Sequence, residues 1–119
     1  MKLISKKVRE VKIDDAVFKI RRLDAQERAE VAEVSMMIEA TATRGAERGK
    51  ISVNPIRYQL AVVERGLVGW ENIFDDEGNP VPFDKDKIKL LPEDVLDKLA
   101  GEIAGTAGLT AEEAEELRG

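Results

Sequence analysis

Residues 8–27 read VREVKIDDAVFKIRRLDAQE, and this stretch determines how the N-terminal part of the chain folds. Apolar and charged residues alternate on both sides of the acidic pair Asp14-Asp15, as far as Phe18 and Ile20. Two alternating runs joined by a short acidic turn predict a β-hairpin over residues 8–21. Because an isolated hairpin is only marginally stable in water, its apolar face must pack on another element.

The segment after the hairpin predicts that element. Asp24 and Glu27 have the spacing of a capping box, in which an N-cap acid and a glutamate three residues later each accept from a backbone N–H. Apolar residues then recur at helical spacing, which predicts a helix over about residues 25–43 with an unusually broad apolar surface.

Three further helices are predicted downstream. Asn54-Pro55 is a helix start signal for residues 55–65, and Gly66 is the expected left-handed C-cap. A short helix over residues 85–91 ends before Pro92, and a last helix follows over residues 93–104. The glycines and mixed charges of residues 42–50 indicate a connector.

These elements place the chain in the α+β class, and mainly α. We expect an N-terminal β-hairpin and about four helices in one small domain, residues 1–105. Residues 106–119 are rich in glutamate and offer only Leu109 and Leu117 for burial. We therefore expect a flexible, disordered acidic tail there.

The composition excludes several classes of function. The 119 residues include no cysteine and no histidine, which excludes disulfides, zinc fingers and Ser–His or Cys–His catalysis. The acidic run at residues 75–79 does not fit an EF-hand, because placing Gly78 at loop position six puts Ile73 at position one. No apolar run approaches the ~20 residues of a membrane span. We predict a soluble, intracellular, non-enzymatic protein with no catalytic residue, metal site or cofactor.

Charge is distributed unevenly around the net value of −5. Residues 1–22 hold eight basic and three acidic side chains, whereas residues 70–98 hold nine acids and four lysines. This distribution indicates electrostatic self-contact or two different partner surfaces, and two solvated faces are the simpler alternative. Aromatic residues make up only 4% of the chain, which argues against nucleic acid as the main partner.

A pair of sequence runs carries a resemblance to a known family. Residues 63–71 read VERGLVGWE and residues 76–83 read DEGNPVPF, and a leucine-rich helix follows. This combination resembles the tail assembly chaperones of long-tailed bacteriophages and prophages. The resemblance covers about residues 57–105 and consists of turn and anchor residues. The alternation of lysine and apolar residues after Phe83 departs from the family pattern.

The resemblance implies a non-catalytic protein of the bacterial host cytoplasm. Such chaperones bind the tape measure protein and help to recruit tail tube protein during tail morphogenesis, and many are extended by a ribosomal frameshift. Binding of amphipathic helices would bury their apolar stripes. The predicted partner contacts lie on the first helix and at the turn: Val31, Val34, Met37, Ile38, Trp70 and Phe74.

Alternative interpretations stay open at this point. The chain is also compatible with a structural tail or head–tail connector protein of a phage or prophage. A small hydrolase working through carboxylates would need a buried acid pair, and the sequence offers none. Trp70 is either a core anchor or an interface hot spot. The sequence is also compatible with a homo-oligomer, because a broad apolar helix on a short chain leaves apolar surface uncovered.

Overall fold

The computed structural model describes residues 1–39 and 50–105, which form a mixed α+β fold. In chain order, the elements are β1 (Arg9–Ile13), β2 (Ala16–Ile20), α1 (Ala25–Ser35), β3 (Met36–Glu39), β4 (Lys50–Val53), α2 (Pro55–Gly66), β5 (Leu67–Glu71), a 3₁₀ helix (Lys85–Leu90) and α3 (Glu93–Ala104). The expected disordered tail, residues 106–119, and most of the expected connector lie outside the described residues.

The predicted N-terminal hairpin is confirmed, and it belongs to a three-stranded antiparallel sheet. The strand order is β1-β2-β5, so β2 is central, and Phe18 is paired with Trp70 across β2 and β5. At the hairpin turn Asp14 adopts a positive φ of 54°, a conformation that aspartate tolerates better than most residues. The acidic turn therefore has a conformational reason as well as a polar one.

The first helix is shorter than the predicted 25–43. Helix α1 ends at Ser35, whose Oγ donates to the Val31 carbonyl at 2.6 Å, and the chain then becomes extended as β3. Strand β3 pairs in an antiparallel register with β4, and the Asn54 N–H donates to the Ser35 carbonyl at 2.9 Å. The helix prediction was wrong here because a contiguous Met-Met-Ile run suits a strand as well as a helix. The segment forms a strand because residues 50–53, in which polar and apolar residues alternate, pair with it as β4.

Helix α2 extends over Pro55–Gly66, close to the predicted 55–65, and Asn54 caps it as expected by accepting from the Ile56 and Arg57 N–H groups. Gly66 is not a left-handed cap, because it is the last helical residue and the chain continues in extended backbone at Leu67. Its lack of a side chain instead leaves room for Ile103, which a Cβ at this position would overlap.

The core lies between the sheet, α2 and α3. Helix α2 packs against α1, α3 and the 3₁₀ helix, so it is the central element of the helical part. Among the described residues, the largest fully buried side chains come from β2, β5, the 3₁₀ helix and α3: Phe18, Ile20, Leu67, Ile88, Leu99 and Ile103. Helix α3 ends at Ala104 and is capped by Gly105, which has the left-handed φ of 94° that a C-cap glycine commonly adopts.

Trp70 anchors the segment between β5 and the 3₁₀ helix. Its Nε1–H donates to the Val81 carbonyl at 2.8 Å, and its ring meets Phe83 edge-on with centroids 5.0 Å apart. Within this segment the Asp75 carboxylate accepts from the Glu77 and Asn79 N–H groups, both at 2.9 Å. The segment from Trp70 to Phe83, which includes parts of both resembling runs, is therefore held by one indole and one carboxylate.

Candidate binding site

An open, mainly apolar groove of about 320 Å³ lies where α1, α2 and the end of α3 meet. Helices α1, α2 and α3 supply its walls. The lining residues of α1 lie about one helical turn apart, and the two lining residues of α2 are four positions apart. The lining comprises Arg22, Leu23, Arg28, Val31, Ala32, Ser35, Met36, Tyr58, Val62, Ile103 and Ala104. Residues 28–35 follow α1 for about 10 Å at the 1.5 Å rise per residue of an α-helix.

The floor and the rim of this groove differ in character. Leu23, Val31, Val62 and Ile103 are buried and form the floor, whereas Ala32 and Met36 are exposed. Ser35 is buried but its hydroxyl already donates to a backbone carbonyl. The groove therefore has an apolar base and accessible apolar side chains at its edge, which suits the insertion of another apolar side chain.

Two arginines give the rim a positive charge. Arg22 and Arg28 are both exposed, and neither has an ion pair with a carboxylate of the described residues. Their neighbour Arg21 does have one, with Glu27 at 2.6 Å. The charge available to a ligand at this groove is therefore carried by Arg22 and Arg28.

The start of α1, which positions Arg28, is held by Glu27. Its carboxylate accepts from both terminal nitrogens of Arg21, at 2.9 and 2.6 Å, and from the Asp24 N–H at 3.0 Å. The Asp24 carboxylate accepts in return from the Glu27 N–H, which completes the predicted capping box. The hydrogen-bonded Arg21 guanidinium lowers the pKa of Glu27 from 4.5 to about 2.

The predicted contact residues are distributed over several environments. Val31 lies in the groove floor and Trp70 in the core, where each is buried, so neither presents a free surface. Val34 is 43% exposed but does not line the groove. Met37 and Ile38 belong to β3 instead of the first helix, and their side chains lie outside the described structure.

Sequence reasoning missed several residues that make the groove accessible, among them Ala32, Tyr58 and the two rim arginines. A signal was present, because Arg28, Ala32 and Ser35 recur at the spacing of one helical face. Tyr58 and Val62 have the same spacing on α2. Only the packing of α1 against α2 reveals that these two faces border the same groove.

A second apolar surface surrounds Phe74. Phe74 is 58% exposed and Leu90 is 74% exposed, and both line a hollow of about 430 Å³ beside the buried Trp70. We call this the Phe74 hollow; its apolar lining is Trp70, Ile73, Phe74, Val81, Leu90 and Leu91, with Asp75, Asp76 and Lys87 around them. Of the six predicted contact residues, Phe74 is the most exposed whose side chain is described.

No protein-family model, curated protein or solved structure matches the chain. Within residues 1–39 and 50–105, no cluster of three or more potential metal-ligating side chains is present. No helix in the same ranges is both long enough and apolar enough to cross a membrane.

Proposed function

We propose that this protein is a non-catalytic tail assembly chaperone of a long-tailed phage or prophage, acting in the host cytoplasm. It binds an amphipathic helix of the tape measure protein and delivers tail tube subunits to it. We also propose that the fold is mainly helical and that it carries a flexible acidic tail. The observation that carries the proposal is the open apolar groove between α1, α2 and α3.

The length of the groove along α1 suits the binding of a helix. Its volume of about 320 Å³ is at the lower limit of the ~300–1,000 Å³ of typical ligand pockets. It is bordered by about two turns of α1, which matches the spacing of anchor side chains on an amphipathic helix, at positions i, i+3/i+4 and i+7. A helix lying along α1 would therefore insert two or three apolar side chains and leave its polar face in water.

The sequence motif supports the same assignment through its structural role. Parts of the two runs that resemble the chaperone family flank the turn held by Trp70 and Asp75. The carboxylate of Asp75 stabilises this turn, because it accepts hydrogen bonds from backbone N–H groups, and these hydrogen bonds lower its pKa. The motif therefore supports a scaffold that presents apolar surfaces.

Binding to the tape measure protein encoded in the same phage or prophage tests the proposal. Ala32→Asp and Met36→Asp each place a charge at the accessible edge of the groove, and each should weaken binding at least about tenfold. Val34→Asp is the matched control on α1, two residues from each tested position, because Val34 is exposed and lies outside the groove. It should bind as the unmodified chain does.

The outcomes separate the possible surfaces. Weakening by Val34→Asp alone would place the contact on the helix stripe that sequence periodicity predicted. Absence of binding in the unmodified chain would refute the chaperone proposal. Mass spectrometry of purified virions gives an independent result, because a chaperone should be absent from them and a structural tail protein should be retained.

A further inference from the structure

The first residues of the chain form an arm whose apolar side chains are unburied. Leu3 is 93% exposed and Ile4 is 43% exposed. The arm, residues 1–5, is followed by Lys6, whose Nζ lies 2.8 Å from an Asp24 carboxylate oxygen at the start of α1. One end of the arm is therefore fixed to the domain, while two aliphatic side chains and Lys2 project from it.

The Phe74 hollow has the complementary properties. Phe74 and Leu90 are largely exposed, and the buried ring of Trp70 lies beside them. The backbone around the hollow is held in place, because Phe74 bridges to Pro80 and the Val81 N–H donates to the Ile73 carbonyl at 2.8 Å. A preformed surface of this kind requires little ordering when an apolar segment docks.

Charge at the two surfaces is also complementary. Lys2 has no ion pair among the described residues. Among the described residues, the hollow is bordered by two acids, Asp75 and Asp76, and by one cation, Lys87. The pKa of Asp75 is lowered by the backbone N–H groups of its turn, so this carboxylate stays ionised at neutral pH. Approach of a lysine-bearing arm is therefore favoured over approach of an acidic segment.

We propose that residues 1–5 of one copy of this chain dock into the Phe74 hollow of a second copy. The two surfaces are different parts of the molecule, so each copy retains a free arm or a free hollow after the first contact. Such a heterologous contact generates a closed ring or an open chain of copies. This proposal is independent of the groove and of tape measure binding.

The short arm buries less area than a standard protein–protein interface, so the association should be weak and concentration-dependent. Sedimentation velocity of the full chain over a wide concentration range should show a reversible rise in mean mass. The arm variant Leu3→Asp/Ile4→Asp and the hollow variant Phe74→Asp should each raise the dissociation constant at least about tenfold. Ile56→Asp is the control, because Ile56 is comparably exposed on α2.

Mixing the two variants gives the decisive measurement. The arm variant keeps an intact hollow and the hollow variant keeps an intact arm, so an equimolar mixture should form a dimer and nothing larger. All substituted residues are exposed, and circular dichroism verifies that each variant is folded. If the unmodified chain is monomeric at every concentration, the proposal is overturned. A monomer is the result expected if the arm docks into the hollow of its own copy. Association that persists in either variant, or a mixture that stays monomeric, would overturn it equally.

Discussion

Replacing Glu27 with glutamine tests how the start of α1 is stabilised. The carboxylate accepts two hydrogen bonds from Arg21 and one from the Asp24 N–H. Glutamine retains a side-chain oxygen for the Asp24 N–H, so the capping box is preserved. The substitution therefore removes the charge and the paired interaction with Arg21, while the helix keeps its cap.

The expected loss of stability in Glu27→Gln follows from the pKa of the Glu27 carboxyl. Glu27 has a pKa of about 2, compared with an ordinary value of 4.5. At about 1.4 kcal/mol per pKa unit, this difference corresponds to roughly 3 kcal/mol. The side chain is 17% exposed, so some of the interaction is screened by water and we expect Glu27→Gln to cost about 2 kcal/mol at pH 7.

The pH dependence has a defined sign. Because the folded-state pKa is lowered, the stabilising contribution of Glu27 is complete above its unfolded pKa of about 4.5 and is lost as the pH falls toward 2. The stability difference between the unmodified chain and Glu27→Gln should therefore be constant from pH 7 to about pH 5 and then shrink. Lys6 also faces this carboxylate, at 3.6 Å, and remains charged throughout.

Urea unfolding followed by circular dichroism at several pH values measures this difference. Glu33→Gln is the control, because Glu33 is an exposed glutamate on the same helix without an ion pair among the described residues. It should change the free energy of unfolding by less than about 0.5 kcal/mol. The electrostatic reasoning is refuted if Glu27→Gln costs no more than this control, or if its cost is the same at pH 3 as at pH 7.

Two further substitutions test the packing of the core. Gly66→Ala should lower the free energy of unfolding by about 1–3 kcal/mol despite the higher helix propensity of alanine, because its Cβ would overlap Ile103. The control is Gly101→Ala on α3, which should be neutral or stabilising because a Cβ there meets no atom within 4 Å. Equal effects of the two substitutions in urea unfolding would contradict this reasoning. Trp70→Phe should cost about 1–3 kcal/mol, because it leaves a cavity and removes the hydrogen bond to the Val81 carbonyl. Thermal unfolding by circular dichroism measures that loss, and an unchanged midpoint would show that the indole does not anchor the turn.

Local signals allowed much of this fold to be predicted. The alternation around Asp14-Asp15, the capping box at the start of α1 and the Asn54-Pro55 start signal each depend on neighbouring residues, and the corresponding elements are present. Strand β3 depends on a partner that begins eleven residues after its own last residue, Glu39. Periodicity within the Met-Met-Ile run could not decide between helix and strand, because the pairing with β4 decides it.

The candidate groove was harder to predict than the helices that border it. Its accessible residues, such as Ala32 and Tyr58, are individually unremarkable, and they share a site only because α1 and α2 pack together. Val31 was predicted as a partner contact for its apolar character, but the same character places it in the floor, where it is buried. Exposure depends on the packing of distant segments, which a pattern within one segment does not determine.

The basic N-terminal segment resolves into two groups of side chains with different roles. Lys6, Arg9, Lys19 and Arg21 form ion pairs with carboxylates of other elements, and Arg9 reaches Glu102 on α3 at 3.1 Å. Of these contacts, the ion pair of Lys19 with Glu71 joins the basic segment to the acidic residues 70–98. The remaining four basic residues have no ion pair within the described structure, and two of them, Lys2 and Arg22, lie on the arm and on the groove rim. Basic side chains without an ion pair among the described residues thus occur at two of the surfaces for which partners are proposed, the arm and the groove rim, whereas the paired ones link elements of the domain. An acidic ligand would therefore compete with solvent at these two sites, without having to displace an existing ion pair.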